Sequence, residues 1–253
     1  MSEPEFLDTA AGRRIAYRRT EGSGPGVVFL GGFVSDMEGT KAVHLEAWAS
    51  ERGRAFLRFD YSGHGASSGE FAEGAIGDWA ADAMAVIEAV ADGPQILVGS
   101  SMGGWISLLV ARALPAKVAG MVTVAAAPDF TEDGFWASFG DAERSAIMEE
   151  GGLQIPSDYG APYVITERLI LDGRENLVLR TPLVLPFPVR MLQGTADREV
   201  PMDTALRLLG HATADDLRLT LVKGADHRFS TPDCLAMIER AVDEVTEVLG
   251  GRT

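Results

Sequence analysis

Residues 96–105 read Ile-Leu-Val-Gly-Ser-Ser-Met-Gly-Gly-Trp, and this stretch decides how the whole chain is interpreted. Its apolar first half is typical of a short buried strand, and the residues that follow have the apolar spacing of a helix. Between the two lies Gly99-x-Ser101-x-Gly103, a pattern in which a serine sits on a tight strand-to-helix turn. Such a turn holds the hydroxyl above the strand end, facing the N–H groups that open the helix. The sequence therefore predicts a nucleophile at Ser101.

The composition is that of a globular protein and argues against several kinds of partner. The chain has 253 residues, of which 46% are hydrophobic and 23% charged, and its formal charge of −15 comes from 22 basic and 37 acidic side chains. This balance disfavours nucleic acid and anionic membranes as partners, since both need a basic footprint. No apolar run approaches the ~18 residues of a transmembrane segment. Cys234 is the one cysteine, which excludes an intrachain disulfide and disfavours a cysteine-based metal site.

The first residues, Met1–Glu5, are acidic and lack the basic and apolar regions of a secretory signal. We therefore expect a cytoplasmic protein. The sequence contains no internal repeat and no low-complexity tail. Because α/β chains of this length often form one domain, residues 1–253 are interpreted as a single domain.

Predicted strands and helices alternate along most of the chain. After a hairpin over residues 5–19, the runs that predict strands are 27–30, 55–59, 118–126, 189–193 and 217–222. The segments that predict helices, besides the one after Ser101, are 40–52, 76–90, 202–209 and 233–249. Repeated strand–helix units form mostly parallel sheets with helices on both faces. The sequence thus predicts an α/β fold with a mostly parallel, eight-stranded sheet flanked by helices.

Two later strands end in residues that complement Ser101. The strand 189–193 is followed by Gly-Thr-Ala-Asp, ending at Asp197, and the strand 217–222 by Lys-Gly-Ala-Asp-His, ending at His227. Ligands of open α/β sheets bind outside the carboxyl ends of the strands, and the chain order Ser, Asp, His is one that hydrolytic triads use. We expect Ser101 as the nucleophile, His227 as general base and then acid, and Asp197 as the carboxylate that orients the imidazole.

Acyl transfer also needs hydrogen-bond donors for the oxyanion. We expect one donor at the backbone N–H of Met102, which follows the nucleophile. The other is expected at the N–H of Phe33, because the preceding Gly31-Gly32 lets the backbone approach closely.

The strand–helix alternation stops over residues 130–186, which carry two short predicted helices, 141–150 and 161–171. We interpret this segment as a small helical cap inserted over the site. It contains apolar side chains that such short segments cannot bury among themselves: Phe135, Trp136, Phe139, Leu153, Ile155, Tyr159 and Tyr163. We expect Phe135, Trp136 and Phe139 to line an apolar substrate pocket, with Trp105 beneath them. Packing is the alternative for the three cap aromatics, and packing in the core is the alternative for Trp105.

Several assignments have alternatives. Ser101 could serve only as a helix N-cap. Asp129 follows the strand after the elbow, and some hydrolases take the acid from that position, so it competes with Asp197. Glu199 and Asp203 are interpreted as carboxylates in the first turn of a helix, where the helix dipole favours them.

Four segments also resemble one known family. They read Gly-Thr-Lys-Ala at 39–42, Arg-Phe-Asp-Tyr-Ser-Gly at 58–63, Val-Gly-Ser-Ser-Met-Gly-Gly-Trp at 98–105 and Asp-His-Arg at 226–228. Together they resemble the α/β-hydrolase superfamily, and within it the palmitoyl-protein thioesterase and mycophenolic acid acyl-glucuronide esterase type, α/β-hydrolase domain-containing protein 10. The resemblance extends over most of the chain and is weakest in the cap.

This resemblance implies an α/β-hydrolase fold, a triad of Ser101, Asp197 and His227, cleavage of esters or thioesters, and no metal or organic cofactor. Animal members carry a mitochondrial leader, whereas this chain reaches its first predicted strand at once, which suggests a bacterial, cytoplasmic relative.

The sequence thus favours a serine hydrolase that cleaves carboxylic esters or thioesters with an apolar acyl group. A serine peptidase, an acyltransferase and a C–C bond hydrolase are alternatives that use the same three residues. A non-catalytic binding protein of the same fold is a more distant alternative. The expected partner is a small-molecule or acylated substrate, and the expected assembly is a monomer or homodimer.

Overall fold

The structure, a computed structural model, describes residues 3–156 and 162–251. Its strands are β1 (Glu5–Asp8), β2 (Arg14–Thr20), β3 (Ser23–Leu30), β4 (Arg54–Phe59), β5 (Gln95–Ser100), β6 (Val118–Val124), β7 (Gly152–Ile155), β8 (Tyr163–Thr166), β9 (Leu183–Val184), β10 (Val189–Gly194), β11 (Ala212–Thr213) and β12 (Leu217–Val222). Its α-helices are α1 (Thr40–Glu51), α2 (Ile76–Val90), α3 (Met102–Ala113), α4 (Asp141–Glu150), α5 (Glu167–Glu175), α6 (Met202–His211) and α7 (Pro232–Gly250). No helix in these ranges combines the length and apolarity needed to cross a bilayer.

Within the described residues, eight strands form one sheet in the order β1-β2-β4-β3-β5-β6-β10-β12. β2 pairs antiparallel with both β1 and β4, and the remaining neighbours pair parallel. The predicted α/β fold with a mostly parallel, eight-stranded sheet is confirmed. The carboxyl ends of β3, β5, β6, β10 and β12 therefore meet at one edge of the sheet.

The central strands are buried on both faces because helices cover both sides of the sheet. Alternate residues of β3 separate accordingly: Val28 and Leu30 pack with α2 and α3, and Val27 and Phe29 pack with α1 and α7. A strand buried in this way reads as a continuous apolar run without alternation. This explains why β3, β5 and β6 were recognisable in the sequence.

The first turn of α3 crosses very close to the end of β3. A Cβ built on Gly103 would overlap the carbonyl oxygens of Leu30 and Gly31, and a Cβ on Gly99 would overlap the Gly103 carbonyl and the Ser107 hydroxyl. Glycine at both positions of the Gly-x-Ser-x-Gly pattern is thus required by backbone contact. The crossing fixes the turn that carries Ser101.

The segment between β6 and β10 forms the cap, and it is less helical than its sequence predicts. It contains a π-helical turn at Thr131–Trp136, then α4, an antiparallel pair of β7 and β8, α5 and β9. The predicted helix 141–150 is confirmed. The predicted helix 161–171 is wrong at its start: residue 161 lies outside the described residues, and Tyr163–Thr166 is a strand.

The reason for the difference lies in the residues of β8. Their sequence, Tyr-Val-Ile-Thr, is aromatic and β-branched, a composition that favours a strand. The helix begins only after Thr166, whose side chain accepts a hydrogen bond from the Leu169 N–H at 3.1 Å.

The crossing at Gly103 predicts a large effect of one methyl group. We expect Gly103→Ala to lower the free energy of unfolding by more than about 3 kcal/mol, because the methyl group would overlap fixed backbone. Gly210→Ala is the matched control. Gly210 lies in α6 with open space around its Cβ position, so alanine there should add about 0.5–1 kcal/mol. Urea denaturation measures both, and equal midpoints for Gly103→Ala and wild type would contradict the tight crossing.

Candidate active site

Ser101 lies on the sharp turn between β5 and α3. Its backbone has φ 54° and ψ −119°, a conformation that L-residues rarely adopt. The turn is fixed by the end of β6: the Ser101 N–H donates to the carbonyl of Val124 at 2.9 Å, and the Ser101 carbonyl accepts from the Ala127 N–H at 3.1 Å. These contacts place the hydroxyl at the carboxyl edge of the sheet, the position that a nucleophile elbow occupies.

Ser101, His227 and Asp197 are connected by hydrogen bonds. His227 Nε2 lies 3.1 Å from Ser101 Oγ, and His227 Nδ1 lies 2.9 Å from Asp197 Oδ2. When Nδ1 donates its proton to the carboxylate, Nε2 is left to accept from the hydroxyl. The structure thus brings together the three residues that the sequence singled out, although Ser101 and His227 are 126 positions apart.

The carboxylate of Asp197 is fully buried and accepts hydrogen bonds on both oxygens. Oδ1 accepts from the backbone N–H groups of Glu199 and Val200, each at 2.9 Å. Oδ2 accepts from Gln193 Nε2 at 3.0 Å and from His227. Burial raises the pKa of this carboxyl, but the hydrogen bonds from His227, Val200 and Glu199 together lower it more, so its pKa lies below the ordinary value. Asp197 is therefore ionised at neutral pH and can stabilise a charged imidazole.

Asp129, the alternative acid, has a different set of partners. Its side chain is 0% exposed and accepts from the backbone N–H groups of Val178 and Leu179 at 2.8 and 3.0 Å. Arg180 Nη1 donates to the same carboxylate at 2.6 Å. Asp129 thus anchors this part of the cap to the loop after β6, while the hydrogen bond from His227 goes to the other aspartate.

The two backbone positions expected to bind an oxyanion both lie beside Ser101. Met102 is the first residue of α3, and the N–H groups of a first helical turn have no partner within the helix. Phe33 follows Gly32, on which a Cβ would lie 3.4 Å from the Ser101 Cβ. The next residue, Val34, has φ 56°, a strained value for a β-branched side chain. The loop after β3 is therefore held against the turn that carries Ser101.

A cavity of about 860 Å³ lies over Ser101 and His227. Its apolar wall combines the end of β3, the cap and the loop before α6: Phe29, Phe33, Val34, Ala127, Pro128, Phe130, Phe135, Tyr163, Leu179, Val200 and Pro201. Charged side chains also line it: Asp36, Lys41, Asp133, Arg198, Glu199, Arg207 and Arg228. A ligand in this cavity thus meets both an extended apolar surface and ionised groups.

Of the four aromatic residues expected to contact substrate, one lies in the cavity wall. Phe135 lines the cavity, and its ring packs edge-on against Phe33 with centroids 5.9 Å apart. Trp105 does not line it. Its side chain is fully buried, and its Nε1 donates to the carbonyl of Asn176 at 3.1 Å. Packing in the core, the alternative weighed for Trp105, is where the structure places it.

Trp136 and Phe139 are also absent from the cavity wall. The Trp136 ring lies beside two guanidinium groups, 5.3 Å from that of Arg144 and 4.6 Å from that of Arg174. Phe139 is buried and stacks on Phe135 with centroids 6.2 Å apart. The expectation is corrected because the cavity is lined here by residues 130, 133, 134, 135 and 138, and the π-helical turn Thr131–Trp136, with its wider repeat, leaves Trp136 outside the wall. Tyr159, another cap aromatic, lies outside the described residues.

Glu199 differs from its sequence interpretation. The sequence predicts it in the first turn of a helix, but α6 begins at Met202, and Glu199 lies in the loop after Asp197. Its Oε2 is 3.4 Å from His227 Nε2, on the nitrogen that also contacts Ser101. Sequence reasoning missed this contact. The available signal was that Glu199 follows the expected acid by two positions.

Ion pairs at the cavity wall connect the cap to α6. Asp133 accepts from Arg207 Nη1 at 2.6 Å and from Arg180 Nη1 at 2.7 Å. The hydrogen bond from Arg180 is the main cause that holds the pKa of the Asp133 carboxyl below its ordinary value. Because Arg180 also pairs with the buried Asp129, one guanidinium bridges a carboxylate of the cap and a carboxylate of the loop after β6.

The other three histidines have partners away from Ser101. His44 Nε2 lies 2.6 Å from a carboxylate oxygen of Glu239, His64 Nδ1 lies 3.1 Å from the carbonyl of Ser62, and His211 Nε2 lies 2.8 Å from the carbonyl of Thr181. Within residues 3–156 and 162–251, no group of three or more His, Cys, Asp or Glu side chains is arranged to hold a metal ion.

Known sequences are similar to this chain over most of its length. A family model described as "Serine aminopeptidase, S33" matches residues 26–143. The protein named "Palmitoyl-protein thioesterase ABHD10, mitochondrial" of Rattus norvegicus is 35% identical over 237 residues, which cover 93% of this chain and 80% of that protein. The Homo sapiens protein of the same name is 33% identical over 246 residues, covering 96% of this chain and 80% of that one.

Solved structures extend the similarity to three dimensions. A crystal structure of a protein from Agrobacterium vitis S4 superposes with a TM-score of 0.92 and 40% identity, covering 96% of this chain and 98% of that chain. Alpha/beta hydrolase domain-containing protein 10 from mouse superposes with a TM-score of 0.91 and 33% identity, covering 98% of this chain and 100% of that one. Since both sequence and fold correspond over nearly the whole length, the chain belongs to the α/β-hydrolase family, among the relatives of α/β-hydrolase domain-containing protein 10.

Proposed function

We propose that this protein is a serine hydrolase that cleaves carboxylic esters or thioesters with an apolar acyl group. The hydrogen-bonded series from Asp197 through His227 to Ser101 carries the proposal, because such a series activates a serine hydroxyl. The adjoining cavity has an apolar wall suited to an acyl chain. The naming of the curated relatives as palmitoyl-protein thioesterases supports an ester or thioester substrate.

In the proposed first half-reaction, Ser101 Oγ attacks the acyl carbonyl carbon while His227 Nε2 takes the hydroxyl proton. The ionised Asp197 stabilises the imidazolium that forms. The oxyanion of the tetrahedral intermediate accepts hydrogen bonds from the N–H groups of Met102 and Phe33. When the intermediate collapses, the bond to the leaving sulfur or oxygen breaks, that atom takes the proton from Nε2, and the acyl group stays on Ser101.

In the second half-reaction a water molecule takes the place of the leaving group beside His227. Nε2 removes a proton from this water as its oxygen attacks the acyl carbonyl carbon. The bond to Ser101 Oγ then breaks, and Oγ takes the proton from the imidazolium. The free carboxylic acid departs and the imidazole is again neutral, so the cycle closes with one ester or thioester and one water consumed.

The apolar wall determines the proposed preference for the acyl group. Phe33, Phe130, Phe135, Tyr163 and Leu179 surround the space beside the nucleophile. Each methylene buried against such a wall contributes up to about 0.8 kcal/mol. Longer acyl chains should therefore react faster until the space is filled.

Other reactions on the same fold remain outcomes to be tested. The family model that matches is described as a serine aminopeptidase, so amino-acyl amides belong in any substrate panel. Acyl transfer and C–C bond hydrolysis would use the same three residues with another acceptor or leaving group.

The expected monomer or homodimer and the cytoplasmic location stay predictions from the sequence. The relatives compared above carry the word mitochondrial in their names.

The proposed nucleophile is tested by Ser101→Ala. We expect kcat/KM for a p-nitrophenyl hexanoate ester to fall by more than about 10³-fold, since the three residues act as a unit. A fluorophosphonate probe should label the wild type at Ser101 and leave the variant unlabelled, as read by mass spectrometry. Labelling at another serine, or retained activity in the variant, would refute the mechanism.

The proposed acid is tested by comparing two aspartates. Asp197→Asn should reduce kcat by about 10³–10⁴-fold, because the imidazole loses the charge that orients and stabilises it. Asp129→Asn should instead lower the free energy of unfolding by about 1–3 kcal/mol, since it weakens a buried set of hydrogen bonds, and should keep kcat within about tenfold. The opposite pattern in kinetics and urea denaturation would show that Asp129 is the acid.

The apolar wall is tested with p-nitrophenyl esters from acetyl to octanoyl. In the wild type, kcat/KM should rise by up to about fourfold for each added methylene, at least as far as hexanoyl. Phe135→Ala should flatten this rise and leave the acetyl ester nearly unchanged. Trp136→Ala, a cap aromatic outside the cavity wall, is the matched control and should keep the slope. If Trp136→Ala flattens the series and Phe135→Ala does not, the wall is assigned wrongly.

A further inference from the structure

A carboxylate lies beside the His227 nitrogen that contacts Ser101. Glu199 Oε2 is 3.4 Å from His227 Nε2, the nitrogen that contacts Ser101 Oγ. The Glu199 side chain is 44% exposed and lines the cavity. The proposed cycle assigns it no step.

Geometry connects this carboxylate to the leaving group. The leaving atom takes its proton from Nε2, so at that moment it lies within hydrogen-bond reach of Nε2, about 3 Å. Since Nε2 and Glu199 Oε2 are 3.4 Å apart, the leaving atom then lies no more than about 6.4 Å from the carboxylate. A substituent next to the leaving atom is therefore exposed to the charge of Glu199, whatever the acyl group is.

The backbone of Glu199 is held in place by hydrogen bonds to Asp197. Its backbone N–H donates to Asp197 Oδ1 at 2.9 Å, and the next N–H, that of Val200, donates to the same oxygen. The loop that carries Glu199 is thus bound to the carboxylate that orients the imidazole. The backbone from which the Glu199 carboxylate extends is therefore held beside His227.

We propose that Glu199 is a specificity-determining residue for the leaving group: it favours thiols and alcohols with positive charge close to the scissile bond and disfavours those with negative charge there. The inference rests on the proposed serine hydrolase function. At a half-exposed site and a separation of about 6 Å, attraction between opposite unit charges raises a rate constant about three- to tenfold, and repulsion between like charges lowers it by a similar factor.

Positive side chains that line the same cavity also act on a charged leaving group. Lys41 Nζ donates to the carbonyl of Arg228 at 2.6 Å, and Lys41 also interacts electrostatically with Glu199. Arg207 is paired with Asp133 at 2.6 Å. These groups are present in the wild type and in the Glu199 variants alike. Comparing the ratio of kcat/KM for cationic and anionic leaving groups between these proteins therefore isolates the contribution of Glu199.

The test uses three hexanoyl thioesters that differ in the charge of the leaving thiol. The thiols are thiocholine, which is cationic, 3,3-dimethylbutane-1-thiol, its neutral analogue of similar shape, and 2-mercaptoethanesulfonate, which is anionic. Thiol release is followed with a disulfide reagent, and each kcat/KM is divided by the rate constant for reaction with hydroxide. This division removes the differences in intrinsic reactivity between the thioesters.

We expect the normalised kcat/KM of the wild type to follow the order cationic, neutral, anionic. In Glu199→Gln the ratio of cationic to anionic substrate should fall about tenfold, and in Glu199→Lys the order should invert. Asp203→Asn removes the same charge from the exposed first turn of α6 and should keep the wild-type ratio. The wild-type ratio should shrink in 1 M salt, where charges are screened.

Three results would overturn the inference. An unchanged ratio in Glu199→Gln and Glu199→Lys means that the leaving group does not experience this charge. An equal loss for all three thioesters means that Glu199 acts on the imidazole alone. If the wild type hydrolyses none of the three while a fluorophosphonate still labels Ser101, the proposed ester and thioester chemistry fails together with the inference; hydrolysis of all three at a common normalised rate removes only the inference.

Discussion

The close crossing of α3 over the end of β3 is the constraint on which the remaining site geometry depends. Because Gly103 has no side chain, the first turn of the helix lies directly against the carbonyl oxygens of Leu30 and Gly31. The same crossing holds Ser101 in its left-handed conformation and brings the loop that carries Phe33 beside it. A wider crossing would separate the proposed nucleophile from the backbone proposed to bind the oxyanion.

The sheet and the three central residues of the site could be predicted because short-range patterns encode them. A strand buried on both faces is a continuous apolar run, and the position after such a run lies at the carboxyl edge of the sheet. Ser101 and Asp197 follow buried strands, and His227 follows the alternating edge strand β12, so all three lie at the carboxyl edge of the parallel sheet. The choice between Asp197 and Asp129 could not be made in this way, since both follow strands; it depends on which carboxylate reaches the His227 ring.

The cap was predicted less well, because its side-chain directions depend on local geometry that the sequence does not encode simply. Trp136 and Phe139 have the same aromatic character as Phe135, yet in and just after the π-helical turn only Phe135 of the three lines the cavity. The strand at Tyr163–Thr166 has a β-branched composition that competes with the helical pattern after it. Glu199 was missed because it was interpreted as part of the first helical turn, although the helix begins at Met202, as predicted, and the carboxylate lies in the loop before it, beside His227.

The anchoring of the cap has a consequence for how this protein can diverge. The cap is attached through Asp129 and Asp133 to Arg180 and Arg207, whereas Ser101 and its partners are held by backbone contacts of the sheet. The two sets of attachments share no side chain. Substitutions in the cap wall that keep the ring contacts with Phe33 can therefore change the shape of the cavity while Ser101, Asp197 and His227 keep their hydrogen bonds. Related chains can thus come to accommodate different ligands through changes in one inserted segment.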